Sequence, residues 1–162
     1  LLTRAIELDI LPFCREKNIG VLGYMALLQG VLGDRYLKLA DLPEYRRRTR
    51  HFSSASTPKS RHGTAGAEAE TQAALDGIRG VARRLGLTTA DLSLRWAFAG
   101  HGITSSLCGN RNVQALRENI HSACSPLAPE IIAELNQISQ PVLQALGPSF
   151  DYYENPVNDR TV

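Results

Sequence analysis

The 162-residue sequence lacks the features that mark several specialised classes of protein. Aromatic residues make up only 6% of it, and no apolar stretch approaches the length that spans a bilayer. No charged and then apolar leader opens the chain, so we expect a soluble cytoplasmic protein with no membrane partner. The net charge is only +2, from 18 basic and 16 acidic residues, so we also expect no nucleic-acid partner.

Cysteine and histidine are scarce as well, and neither is spaced as a set of ligands. The three cysteines, Cys14, Cys108 and Cys124, contain no CxxC pair, which favours reduced, buried thiols over a disulfide framework. The four histidines show no metal-ligand spacing among themselves or with the cysteines. The sequence therefore predicts no metal site.

What is present fits one globular α/β unit. The apolar run "IGVLGY" (19–24) predicts a strand buried on both faces, "ITSSLC" (103–108) predicts a second strand, and Leu1-Leu2 has the character of a strand end. Helical patterns occupy 5–18, 75–86, 88–100, 112–120 and 125–138. This alternation of strands and helices predicts right-handed βα units with a parallel sheet.

Two strands and a strand end are too few to form a covered sheet or to close a barrel, so we interpret the chain as part of a larger α/β protein. In a (β/α)₈ barrel the active-site groups lie at the C-terminal ends of the strands, and the loops after the last two strands often hold phosphate. Tyr24 and the turn 109–111 occupy such positions. Expressed by itself, the chain is expected to leave apolar faces unmatched and to oligomerise.

A long stretch without periodic patterning, from Met25 to about Gly66, separates the first strand from the next helix. Connections of this length are usually functional or disordered. Because its composition indicates no core of its own, we expect the part from 41 to 66 to be mobile until a ligand binds. Its arginines at 46, 47, 48 and 50 indicate a solvated loop or a local phosphate contact rather than a nucleic-acid patch, since no aromatics are interleaved.

The segment "SSLCGNRNVQALREN" (105–119) leads from the second strand into a helix and allows two interpretations. In one, Asn112 simply caps a helix. The apolar face of that helix comprises Val113, Leu116 and Ile120. In the other, Gly109 and Arg111 add an open backbone and a forked donor to the positive end of the helix, which is the chemistry of an anion site.

Several separated motifs resemble the C-terminal half of an aldo-keto reductase. The matching stretches are "LLTRAIELDILPFCREKNIGVLGYMALLQGVLGDRY", "RTRHF", "LGLTTADLSLRWAF" and "ITSSLCGNRNVQALREN", in this order. The resemblance implies the C-terminal half of a (β/α)₈ barrel over residues 1–145, followed by an irregular C-terminal tail over 146–162.

The same resemblance implies an NADP(H) site. The turn at Gly109, Asn110 and Arg111 matches the one that grips the 2′-phosphate, Glu118 and Asn119 match the pair on adenine, and Tyr24 matches the aromatic residue that stacks on the nicotinamide. Leu27 belongs to the same cofactor-contacting stretch as Tyr24. The implied cofactor-binding residues are Tyr24, Leu27, Gly109, Asn110, Arg111, Glu118 and Asn119.

The chain departs from the family pattern at three places. Met25 and Ala26 stand where Ser-Pro is common, Cys108 replaces a common proline, and Ala115 stands where glutamine is frequent. Gln114 is about 100° away around the helix and is not expected to replace that glutamine.

The family's catalytic tyrosine, lysine, aspartate and histidine all lie upstream of the matched region, so the resemblance implies no catalytic residue in this chain. It implies that the parent protein reduces a small-molecule aldehyde or ketone by hydride transfer from NADPH. Two alternatives are a non-catalytic NADP(H)-binding regulatory protein of the same fold and an unrelated phosphate-binding barrel. The unrelated barrel would have no nicotinamide stacked on Tyr24.

Overall fold

The computed structural model describes residues 1–99, 102–110, 112–155 and 157. Its helices and strands, in chain order, are α1 (Ile10–Glu16), β1 (Leu22–Gly23), α2 (Glu68–Arg84), α3 (Thr89–Phe98), β2 (Ser105–Ser106), α4 (Val113–Ala123) and α5 (Pro129–Leu146). Single turns of 3₁₀ helix supplement them in the connecting segments. The result is an α/β arrangement that is mostly helical and has one small parallel sheet.

The sheet consists of β1 and β2, with Leu22 paired to Ser105 and Gly23 to Ser106. The parallel direction agrees with the prediction, but both strands are shorter than predicted. The expectation of a strand buried on both faces is wrong, since the side chain of Leu22 is 65% exposed and that of Tyr24 72% exposed. A sheet of two strands has no neighbours that could cover both of its faces.

The helix boundaries follow the local signals in the sequence. The Asn112 side chain accepts a hydrogen bond from the amide of Ala115 at 2.8 Å and caps α4. Thr88 caps α3 in the same way, and Pro129 opens α5, where its missing N–H leaves no bond unmade. The predicted helix over 5–18 is instead split between a 3₁₀ turn and α1.

The core lies mainly between α2 and α5, where Leu75 and Ile78 from α2 and Leu135 and Val142 from α5 are almost completely buried. The side chains spaced three or four apart on each helix form one apolar stripe, and the two stripes cover each other. The apolar surface that this pairing buries stabilises the fold.

The long connection between β1 and α2 also supplies core residues. Within 41–66, the part expected to have no core of its own, Leu42 and Phe52 are buried in the common core. The buried apolar residues of the whole connection are Leu28, Val31, Leu32, Leu39, Leu42 and Phe52. They escape a search for periodicity because they are irregularly spaced. The backbone of the connection is held to α2, where Gln72 accepts from the amide of Leu39 at 2.9 Å and Arg79 donates to the carbonyls of Tyr36 and Leu37.

The motif "RTRHF" (48–52) fastens the residues that follow α5. The buried guanidinium of Arg50 donates to the carbonyls of Leu146, Ser149 and Asp151 at 2.6, 2.8 and 3.1 Å. The backbone amide of Arg50 also donates to the carbonyl of Tyr152 at 2.7 Å. We call residues 147–155 the C-terminal segment. It lacks helices and strands, but these bonds give it defined partners.

The apolar face of α4 points to solvent. Val113 is 66% exposed, and Leu116 and Ile120 on the same face are also exposed. The opposite face of α4 packs on α3, where the hydroxyl of Ser122 donates to Asp91 at 2.8 Å. The sequence correctly indicates which residues share a face, but in this chain no element covers that face among the described residues.

This exposed surface leads to a first prediction. Expressed alone, the 162-residue chain should bind a hydrophobic dye or self-associate, because Leu22 and the apolar face of α4 remain in water. Dye fluorescence and light scattering measure this, and Ile120→Lys should reduce both signals, since the change is on an exposed helix surface. A monomer that binds no dye and unfolds in one sharp transition would contradict the prediction.

Candidate functional site

The two strands end at the same edge of the sheet because they run parallel. After β1 the chain continues through 24–30, and after β2 through Leu107, Cys108 and Gly109. The described residues of these connections, together with α3 and α4, surround a cleft of about 930 Å³, which we call the α4 cleft. It lies where ligands of parallel α/β proteins commonly bind.

The structure brings four of the predicted site residues to the α4 cleft: Leu27, Gly109, Glu118 and Asn119. Asn110 is adjacent to it but is not among the described residues that line it. Tyr24 lines a different cleft, described below. Arg111 lies outside the described residues.

Side-chain amides connect the turn after β2 to α4. Asn119 donates to the side-chain oxygen of Asn110 at 2.8 Å, and Asn110 donates to the carbonyl of Cys108 at 3.1 Å. The first amides of a helix have no intrahelical acceptor, and the Asn112 side chain takes only that of Ala115. The turn is therefore held against the positive end of α4, a geometry suited to an anion.

Gln114 also lines the α4 cleft and donates to the carboxylate of Glu118 at 2.9 Å, one turn further along α4. Gln114 therefore reaches the cleft although it lies about 100° from Ala115 around the helix. The expectation that it does not replace the glutamine frequent at position 115 stays a prediction.

The backbone on the other side of the cleft adopts a rare conformation. Met25, Leu28 and Gln29 have φ angles of 58°, 45° and 53°, and Gly30 has a φ of 90°. Residues other than glycine seldom occupy this left-handed region, and they concentrate at ligand sites when they do. The left-handed backbone conformation begins directly after β1. The sequence does not indicate it, because Gly30 is the only one of these four residues that favours a positive φ.

The wall of the cleft between α3 and α4 contains an ionic cluster that sequence reasoning missed. Partial burial acts to raise the pKa of Asp91, but hydrogen bonds from Arg95 at 2.7 Å and Ser122 at 2.8 Å outweigh it and leave the pKa below its usual value. The spacing of Asp91 and Arg95, four residues apart on a helix, was the available signal. The cluster fixes α4 on α3.

A second cleft, of about 740 Å³, lies between β1, the long connection and the C-terminal segment, and we call it the tyrosine cleft. Its lining includes Tyr24, Arg48, Arg61, Phe150, Tyr152 and Tyr153. Sequence reasoning placed Tyr24 at a site and named Arg48 in a cluster of arginines. It missed the residues of the C-terminal segment, because that segment has no periodic pattern that would place it against β1.

Tyr153 connects the two clefts. Its hydroxyl accepts from the side-chain amide of Gln29 at 2.8 Å and donates to the sulfur of Met25 at 3.7 Å. Gln29 lines the α4 cleft, and Met25 lines both clefts. The C-terminal segment therefore contacts the rare backbone turn after β1 directly.

Over the described ranges, His, Cys, Asp and Glu side chains do not come together in any group of three that could hold a metal ion. The helices of the same residues include none with the length and apolar character needed to cross a bilayer.

The chain is similar to a known family and to two oxidoreductases. The model of the Aldo/keto reductase family matches residues 1–140. An uncharacterized oxidoreductase of Bacillus subtilis (strain 168), YrpG, is 28% identical over 138 residues, which are 85% of this chain and 37% of that protein. The solved structure of the glycerol dehydrogenase AKR11B4 from Gluconobacter oxydans is similar with a TM-score of 0.59 and 22% identity, over 88% of this chain and 39% of that one. The chain thus spans less than two fifths of the length of either protein.

Proposed function

Because the chain belongs to the aldo/keto reductase family, we propose that it forms the NADPH-binding part of an oxidoreductase that reduces the carbonyl group of an aldehyde or a ketone. In this proposal the chain is the C-terminal part of a (β/α)₈ barrel, and the complete reductase includes further strands. The single observation that supports it best is the α4 cleft, because Leu27, Gly109, Glu118 and Asn119 come from separate segments and line one space.

The residues of the α4 cleft fit a dinucleotide. A Cβ atom built on Gly109 would meet nothing within 4 Å, so the turn leaves open space where a phosphate could approach the backbone. The turn at 109–111 and the start of α4 would hold the 2′-phosphate, and Glu118 with Asn119 would hold the adenine. Tyr24, at the end of β1, would pack against the nicotinamide, and bound NADPH would supply the hydride.

The chain's own residues would bind and orient rather than donate the proton. Leu27 lines the α4 cleft, and the half-buried Met25 lines both clefts, so both shield the junction of the clefts from water. The phenol of Tyr24 matches the stacking position of the family and not its proton donor. We therefore propose that the proton donor belongs to polypeptide outside this chain and that the chain alone is inactive.

The test of the function uses the complete reductase. It should oxidise NADPH in the presence of a simple aldehyde and show a tight, saturable change in fluorescence when NADPH is added. Binding without turnover of any aldehyde or ketone would instead favour a non-catalytic regulatory protein of the same fold. Absence of both would contradict the proposal.

A second prediction concerns adenine. Glu118→Ala should weaken NADPH and NADH alike, by about two- to tenfold, because adenine is common to both cofactors and one hydrogen bond of ordinary net strength is lost. Fluorescence titration of each cofactor measures it. Gln114→Ala, which removes the partner of Glu118 but no proposed cofactor contact, serves as the control and should change both affinities less. A loss confined to one cofactor would contradict the assignment.

A further inference from the structure

The tyrosine cleft contains one cation whose hydrogen-bonding capacity is not fully used. The Nε atom of Arg48 is buried, and no described residue accepts a hydrogen bond from it. The guanidinium lies 5.9 Å from the ring centre of Tyr153, so it is held against an aromatic wall of the cleft. A buried N–H group of an arginine without an acceptor is costly and is rare in native proteins.

Several other polar groups around this cleft have partners within the chain. Arg61 forms an ion pair with Glu154 at 2.8 Å, and the carboxylate of Asp151 accepts from the amide of Tyr153 at 3.0 Å. The hydroxyl of Tyr152 accepts from the amide of Ala5 at 3.1 Å. Arg48 therefore differs from these neighbours in the cleft, since it lines the cleft with a guanidinium that has an unsatisfied N–H group.

The charge around the cleft is suited to a single negative charge. Arg61 and Glu154 cancel each other, and Asp151 lies beside Arg50, whose Nε donates to the Asp151 carbonyl at 3.1 Å. Among the described residues around the cleft, Arg48 is then the positive charge in excess. Its planar fork of donors matches the two oxygens of a carboxylate.

We propose that the tyrosine cleft is the carbonyl-substrate site of the reductase and that Arg48 selects aldehydes or ketones that carry a carboxylate. This inference rests on the proposed function, because it takes Tyr24, in the same cleft, as the residue against the nicotinamide. The aromatic side chains of the cleft hold the carbon skeleton, and Arg48 holds the acid group at its far end.

The test compares two aldehydes that differ only in charge, 4-formylbenzoate and its methyl ester, with the complete reductase. Arg48→Gln should lower kcat/KM for 4-formylbenzoate by about ten- to a hundredfold, as expected for the loss of a charged hydrogen bond. The effect should be on KM, and kcat/KM for the methyl ester should stay within about twofold. Arg48→Lys should fall between wild type and Arg48→Gln, because it keeps the charge and loses the fork.

The matched control is Arg47→Gln. Arg47 is the adjacent residue and also has a buried Nε without an acceptor, but it is not among the described residues that line the tyrosine cleft. Arg47→Gln should leave the ratio of kcat/KM for 4-formylbenzoate to kcat/KM for its methyl ester unchanged. Equal losses of kcat/KM for 4-formylbenzoate in Arg47→Gln and Arg48→Gln would overturn the proposal, because they would indicate a general effect of the positive charge. Equal losses of kcat/KM for the acid and the ester in Arg48→Gln would also overturn it.

A binding experiment separates this inference from the proposed function. Calorimetric titration with 4-(hydroxymethyl)benzoate, the product of the charged aldehyde, should show about tenfold or greater weakening in Arg48→Gln, and benzyl alcohol should show no change. If wild type reduces neither aldehyde, the proposed function fails and this titration still decides the role of Arg48. Equal affinity of wild type and Arg48→Gln for 4-(hydroxymethyl)benzoate would overturn the proposed role of Arg48.

Discussion

Replacing Arg111 with alanine in the complete reductase is expected to weaken NADPH binding about ten- to a hundredfold and to leave NADH binding nearly unchanged. The 2′-phosphate is the only group that distinguishes the two cofactors. In the proposed site Arg111 belongs to the turn that would hold this phosphate, and in the sequence it precedes Asn112, which caps α4. The loss of a charged hydrogen bond, worth roughly 1.5–3 kcal/mol, gives this range.

Fluorescence titration of both cofactors against wild type and Arg111→Ala measures the effect. Arg117→Ala is the informative comparison, because Arg117 lies on α4 and lines the α4 cleft. If Arg117→Ala removes the preference for NADPH and Arg111→Ala does not, the phosphate lies along the helix and not in the turn. If Arg111→Ala weakens both cofactors equally, Arg111 only stabilises the turn, and "GNRN" is a capped helix start without an anion site.

Acidification should destabilise the folded protein through His51, by about 3 kcal/mol between pH 7 and pH 4. Burial lowers the pKa of His51 from 6.5 to about 4, and the positive charge of nearby Arg50 lowers it further. A hydrogen bond between its Nε2 and the carbonyl of Leu2, 2.9 Å long, opposes the shift without reversing it. Below pH 6.5 the unfolded chain therefore binds a proton that the folded chain rejects, so stability falls as the pH decreases towards 4.

Urea unfolding of the complete reductase at several pH values between 4 and 7 measures this dependence. His51→Gln removes the titrating group but keeps a polar side chain of similar reach. The unfolding free energy of this variant should therefore fall less steeply between pH 7 and pH 4, and the difference in slope should correspond to about one proton taken up on unfolding. His62, whose pKa burial also lowers, remains in both proteins and cancels from the comparison. Identical pH slopes in the two proteins would show that His51 does not titrate in this way.

The helices were predictable because their signals are local. Caps at Thr88 and Asn112, the proline at 129 and the stripe on α2 each depend on residues within one or two turns, and the structure has helices at these places. The parallel pairing of the strands followed from their alternation with helices. The extent of the strands did not, since a strand continues only as far as its neighbours allow.

The role of the long connection could not be predicted, because it depends on distant partners. Phe52 and Leu42 belong to the same core cluster as apolar residues of α2 and α5, and the buried apolar residues of the connection repeat neither every two nor every 3.6 residues. The same holds for the tyrosine cleft, where Arg48 and Tyr153 meet only in the folded chain. The roles of the predicted cofactor residues stay predictions, although four of them share the α4 cleft.

The bond between the Ala5 amide and the Tyr152 hydroxyl joins residues 147 positions apart. During synthesis at about 5–20 residues per second, Tyr152 is added roughly 7 to 30 seconds after Ala5. Until then, the bond that joins the first turn of this chain to the C-terminal segment cannot form. A premature stop before Tyr152 would remove this bond, so truncated products should be degraded faster than their small loss of length suggests.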